Sequence, residues 1–225
     1  MKAAPTKNRF IRILWIGVII LALIGITAVV RRILLLEGLI KSPPYPRGGA
    51  FDSGFSRHPV LTLFHIIPGI FFMVCGPLQF STKIRNRYPR FHTWCKWIFI
   101  GSSVQIGITA LIMAFTMAIG GANETSATAL FASLFLFSLY KSVLYNSRQE
   151  YAYYREWMIR VFAIGLAIAT VRPIVGMFFA FSKLLPQEFF GIAFWIGFTI
   201  HLIIAEAWIN YTRKNSDQVT TKNVV

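Results

Sequence analysis

Six apolar stretches, each about the 20 residues needed to cross a bilayer as helix, recur along this chain and leave few folds open. They cover 10–30, 58–80, 94–119, 126–145, 158–181 and 189–209. In lipid every backbone N–H and C=O must find its partner within the protein. Only helices and closed barrels manage this, and barrel strands are about half as long as these stretches. The reading is therefore an all-α, polytopic transmembrane bundle: one membrane domain over 1–210, then a polar cytoplasmic tail over 211–225, expected to be disordered. Only 14% of residues are charged, against about one-quarter in soluble domains. No stretch between spans is long enough to bury a core of its own.

The first apolar run follows Lys2, Lys7, Arg9 and Arg12, and Arg31 and Arg32 come directly after it. With no small-residue cleavage site behind it, the run reads as an uncleaved signal anchor. The connection over 31–57 is the longest and is expected outside. Its piece 33–40 either extends the first helix or lies along the interface. Ser42-Pro43-Pro44-Tyr45-Pro46 and Gly48-Gly49 then favour extended or turn structure.

The net charge of +15 would suggest nucleic acid in a soluble protein. Here the cations lie in short loops beside apolar spans, so the expected partners are the lipid bilayer and its anionic headgroups, not nucleic acid. With the amino terminus inside, sixteen Lys and Arg fall on the inner side and six on the outer side, leaving Arg172 within a span. That bias predicts both termini in the cytoplasm of a bacterial inner-membrane protein. Trp15, Trp94, Trp97, Trp157 and Trp208 all fall near the inner interface, a depth that suits an aromatic ring with one polar edge. Cys75 and Cys95 offer neither a disulfide framework nor zinc spacing and are expected to be free thiols.

An ionisable group inside a span is costly, so each one marks a candidate site. His58, His65 and Gln79 in the second span fall within an arc of about 60° on one helix face. Pro68, Gly69, Gly76 and Pro77 interrupt the same helix and free backbone carbonyls. Arg172, followed by Pro173, is expected to point into the bundle. His65 and Arg172 come to similar depths, about 10 Å and 13 Å from the outer ends of their spans, which predicts a shared polar cavity. Ser102, Gln105, Thr109 and Thr116 in the third span suggest hydrogen bonds between helices. His201 and Glu206 differ by about 140° and are expected to face different neighbours. The candidate ligand-binding set is thus His58, His65, Gln79, Arg172 and Glu206. No G-x-S-x-G, P-loop, H-E-x-x-H or C-x-x-C motif occurs, and no metal site is expected. Asn123-Glu124-Thr125 fits the glycosylation pattern, which carries meaning only in a secreted context.

The stretches HPVLTLFHIIPGIFFMVCGPLQF, KIRNRYPRFHTWCKW and REWMIRVFAIGLAIATVRP resemble the domain-of-unknown-function 2306 family of predicted bacterial membrane proteins, over roughly 58–206. The resemblance aligns His65, Gly76, Pro77, Gln79, Phe80, Arg85, His92, Trp157, Met158, Arg160, Arg172 and Glu206 with the family pattern. It also implies two departures. Tyr154 stands where the family usually has His, and His201 where it has Asn; a tyrosine at 154 would be a poor replacement for a metal or haem ligand. The resemblance implies fold and location without an activity.

Three functions remain open on the sequence. One is a small-molecule or proton-coupled binding or transport site built on the His/Arg/Gln group. Another is a membrane oxidoreductase binding b-type haem, with His65, His92 and His201 as candidate ligands, or quinone. The third is an accessory membrane protein whose polar groups only tie helices together. No cofactor is favoured.

Overall fold

The computed structural model describes residues 5–41 and 53–222, with side chains over 9–41 and 54–213. The Pro/Gly stretch 42–49 lies outside the described residues. All the regular structure described is helical: α1 Pro5–Leu36, α2 Ser53–Arg57, α3 Pro59–Gln79, α4 Thr82–Arg87, α5 Pro89–Thr116, α6 Gly121–Ser147, α7 Tyr151–Phe181 and α8 Pro186–Lys222. Six of these, all but the short α2 and α4, are long and apolar enough to cross a membrane.

The chain divides into two compact units, Met1–Ile119 and Gly120–Val225. In the first, α3 packs against both α1 and α5. The α3–α5 pair is antiparallel: Phe72 stacks on Phe99 with ring centroids 4.8 Å apart, and further along Gln79 meets His92. The same register sets Cys75 opposite Cys95, both buried and unbridged. On the other side, Gly25 leaves room for Met73, whose methyl would lie 3.1 Å from a Cβ there.

In the second unit α6, α7 and α8 pack against one another. Small residues set the spacing. A Cβ on Gly197 would lie 2.7 Å from Val171 of α7. One on Gly191 would lie 2.7 Å from the Asn123 side chain and 2.8 Å from the Glu124 backbone nitrogen of α6. Close approach through small residues is the usual packing device in lipid, where apolar burial between helices gains nothing over contact with tails.

The helices outrun the apolar windows. α5 begins at Pro89 and α7 at Tyr151, several residues before the expected spans, because a helix does not stop where lipid does. α1 runs through Leu36 and closes at Gly38, whose φ of +71° suits glycine. α8 continues to Lys222, through residues whose polarity alone suggests disorder. No Pro or Gly interrupts 211–222, so the helix propagates from its packed part.

Candidate functional site

In the first unit, His65 and Gln79 of α3 face α5. Pro68 has no N–H and therefore leaves the carbonyl of Phe64, one turn earlier, without its helical donor. Gln105 of α5 replaces it: its Nε2 donates to Phe64 O at 2.9 Å. One turn along α5, Thr109 Oγ1 donates to the Gln105 carbonyl at 2.7 Å. With its only hydrogen so used, the hydroxyl receives the His65 ring, and Nδ1 lies 2.8 Å away. We assign the Nδ1–H tautomer to His65 on this ground, which makes Nε2 the acceptor of the neutral ring. Ser102 is buried, and Thr116 bonds its own helix, at Ile112 O. The expected hydrogen bonding between helices is thus carried by Gln105 and Thr109.

His58 lies just before α3 and is exposed, at the position that starts the helix. Its carbonyl accepts from Thr62 Oγ1 at 2.9 Å. Beside it an open surface cavity of about 610 Å³, wide to its surroundings, is lined by Arg57, His58, Leu61, Phe64, Thr109 and Ile112, among others. Thr109 connects this cavity to His65. Arg32 of α1 is buried against the ring of Phe55 in α2, with its guanidinium carbon 3.8 Å from the centroid, so α2 is held over the end of α1.

At the other end of α3, Gln79 and His92 form a closed pair. Gln79 Nε2 donates to the His92 carbonyl and His92 Nε2 to the Gln79 carbonyl, both at 3.2 Å. Gln79 ends its helix, so its carbonyl has no helical donor, and the imidazole supplies one. This ties the α3–α4–α5 corner and makes Gln79 a structural partner of His92.

In the second unit, α7 and α8 are joined by a row of polar contacts. His201 Nε2 lies 2.7 Å from Thr170 Oγ1. Arg160 and Glu206 pair in two bonds, Nε to Oε1 at 2.5 Å and Nη2 to Oε2 at 2.9 Å, with the Arg160 guanidinium 4.5 Å over Trp157. Beyond them Arg213 pairs with Glu156 in the same two-bond manner. His201 and Glu206 therefore meet the same helix rather than different neighbours. Their angular separation is overcome because both side chains reach sideways toward α7, one to a hydroxyl and the other to a long guanidinium.

Arg172 and Pro173 are exposed on α7, and Tyr154 is half-buried near its start. Lys141 keeps its ammonium 5.7 Å from the Phe137 ring centroid and 5.8 Å from that of Tyr145. Asn123 of the glycosylation-like triplet accepts from Trp195 Nε1 at 3.0 Å, and Glu124 is buried with Oε2 2.6 Å from the Gly120 N–H. These are packing roles around the Gly120–Gly191 contact.

The structure brings His65 to Thr109 and Gln105, Gln79 to His92, and Glu206 to Arg160. Sequence reasoning missed the last pairing and the buried Glu124. Arg160 and Glu206 are 46 residues apart, and each sits where an inner-interface charge is ordinary. Of the haem candidates, His65 of α3 and His92 of α5 belong to the first unit, His92 lying beside Gln79 at the far end of α3 from His65, while His201 is the second unit's sole histidine, so neither unit opposes two of them. No group of three or more His, Cys, Asp or Glu clusters as a metal site among the described residues.

No curated protein and no solved structure matches the chain. The family model that does match, over residues 62–209, is described as a predicted membrane protein, and it spans every polar contact between α3 and α5 and most of those between α7 and α8. The chain belongs to this family, DUF2306.

Proposed function

We propose that this multi-pass membrane protein binds a small amphiphile carrying a carbonyl or carboxylate oxygen, in the cavity where α2 gives way to α3. The observation that carries the reading is the composition of that cavity. Arg57 and His58 offer donors at its rim, Leu61, Phe64 and Ile112 form an apolar wall, and Thr109 links it to the His65 imidazole. An apolar wall with a few convergent polar groups is the usual lining of a ligand site, and here the open side would be closed by the lipid around it. His65, held by Thr109 at Nδ1, would be the proton-accepting group in a proton-coupled version of this activity. The basic ends of the helices meet anionic headgroups of the cytoplasmic membrane.

The test uses purified protein in detergent with two probes, decanoate and a short-chain benzoquinone, each titrated by calorimetry. One of them is expected to bind, with affinity falling at least tenfold in Arg57→Gln and in His58→Ala. Binding of neither probe, or binding indifferent to both variants, would remove the proposal. A second reading has its own support: Gln105 replaces the donor that Pro68 lacks, a purely structural duty. On that reading α3 and α5 are tied for stability alone and neither probe binds.

A further inference from the structure

The corner formed by α4 and the start of α5 carries a charge that its own unit does not balance. Lys83, Arg85, Arg87, Arg90 and Lys96 fall within fourteen residues, and no Asp or Glu occurs anywhere between Asp52 and Glu124. The one described acid of this unit, Glu37, follows the end of α1. That end is remote: α1 meets α2 through Arg32 and Phe55, whereas the basic corner lies beyond Gln79 at the other end of α3. Arg9 and Arg12, at the start of α1, add to the basic end.

The cations are displayed rather than buried. Lys83, Arg85, Arg87 and Arg90 are exposed, while Ile84 turns partly inward and Ser81 caps α4 by accepting from Ile84 N at 3.4 Å. Along α5, Arg90, Thr93, Trp94 and Trp97 line an open groove of about 570 Å³. Trp94 and Trp97 are 68% and 57% exposed, too much apolar surface for water but suited to the bilayer interface. The depth agrees. α5 has 28 residues, about 42 Å of helix against about 30 Å of hydrocarbon, so roughly eight residues at its ends stand in the headgroup layer.

We propose that this corner is a binding site for the phosphate of an anionic phospholipid, with Arg87 and Arg90 on the phosphate and Trp94 and Trp97 along the upper acyl chains. Guanidinium groups match phosphate oxygens in two-bond geometry, and a basic cluster next to a span attracts anionic lipid at about 1 kcal/mol per cation. The inference rests on the reading that the basic ends meet anionic headgroups and localises it to one site.

The experiment titrates full-length protein in neutral detergent with short-chain phosphatidylglycerol, phosphatidylcholine and inorganic phosphate, following bound lipid by native mass spectrometry. Phosphatidylglycerol is expected to be retained at least tenfold more tightly than phosphatidylcholine, with that preference lost in Arg87→Gln/Arg90→Gln and kept in the charge-matched control Lys141→Gln/Lys183→Gln. Circular dichroism checks that both variants keep their helices; the two arginines are exposed, so folding should not depend on them. Equal loss in the control would overturn the site while leaving the general attraction to anionic lipid. No preference for phosphatidylglycerol would overturn both. Displacement of the lipid by millimolar inorganic phosphate would show a free-anion site instead and overturn the lipid assignment.

Discussion

Pro68 and Gln105 illustrate how a single missing hydrogen determines a residue on another helix. The freed Phe64 carbonyl would otherwise sit in a medium with no water to bond it, and Gln105 supplies the donor. Gln105→Leu should therefore destabilise the first unit by about 1–2 kcal/mol, between the usual penalty for an unsatisfied buried acceptor and the smaller values measured between membrane helices. The check is a double-variant cycle in mixed micelles, with unfolding followed as denaturing detergent is added. Pro68→Ala restores an N–H at position 68, so Gln105→Leu should lose much less stability in that background. Equal losses in both backgrounds would show that Gln105 acts by packing. Half of this was legible in advance: the proline announced a free carbonyl, and Gln105 and Thr109 announced hydrogen bonding between helices. Their partners were not legible, because the α3–α5 register depends on the packing of Phe72 on Phe99, which no local pattern announces.

At the level of elements, α7 and α8 show a division of labour along one interface. Near Gly197 the helices touch through small residues, and further along they are joined by charge, Arg160 to Glu206 and then Arg213 to Glu156. The Arg160 and Glu206 side chains are 15% and 40% exposed, so this pair is neither dry nor fully wet. Removing one partner by Arg160→Leu or Glu206→Leu should cost about 1–3 kcal/mol, below the 3–5 kcal/mol seen when a fully buried pair is broken, because the Glu206 side chain is only partly buried. The double variant should recover most of that loss, since two apolar side chains leave no charge unpaired. Thermal unfolding in detergent would measure all three; a double variant as unstable as the sum of the singles would mean that the two residues act independently. The sequence showed these helices as apolar runs and their ends as basic. It could not show the pairing, because a lone Arg and a lone Glu near helix ends are also what snorkelling produces.

For the molecule as a whole, location and helix number follow from hydropathy alone, and the six long apolar helices agree with the six stretches read from the sequence. Orientation rests on a different physics, the bias of Lys and Arg in short loops during insertion. An even number of spans puts both ends of the chain on one side, and the connection after the first span on the other. Sixteen inner cations against six outer ones predict that this common side is the cytoplasm. The bias is concentrated where it acts most strongly, in the short α3–α5 connection with Lys83, Arg85, Arg87 and Arg90, and at the amino terminus with Lys2, Lys7, Arg9 and Arg12. Reporter fusions at Gly49 and after Val225 would read the two sides independently. A reporter active only outside the cytoplasm should work at Gly49 and fail after Val225, and a cytoplasmic fluorescent reporter should do the reverse. Both positions on one side would mean that one of the five long apolar helices after Gly49 does not cross. The reverse assignment, with both termini outside, would keep six spans and show that the charge bias is overridden. Neutralising Lys83, Arg85, Arg87 and Arg90 together should weaken the orientation signal, so that a measurable fraction of Gly49 reporters appears on the cytoplasmic side.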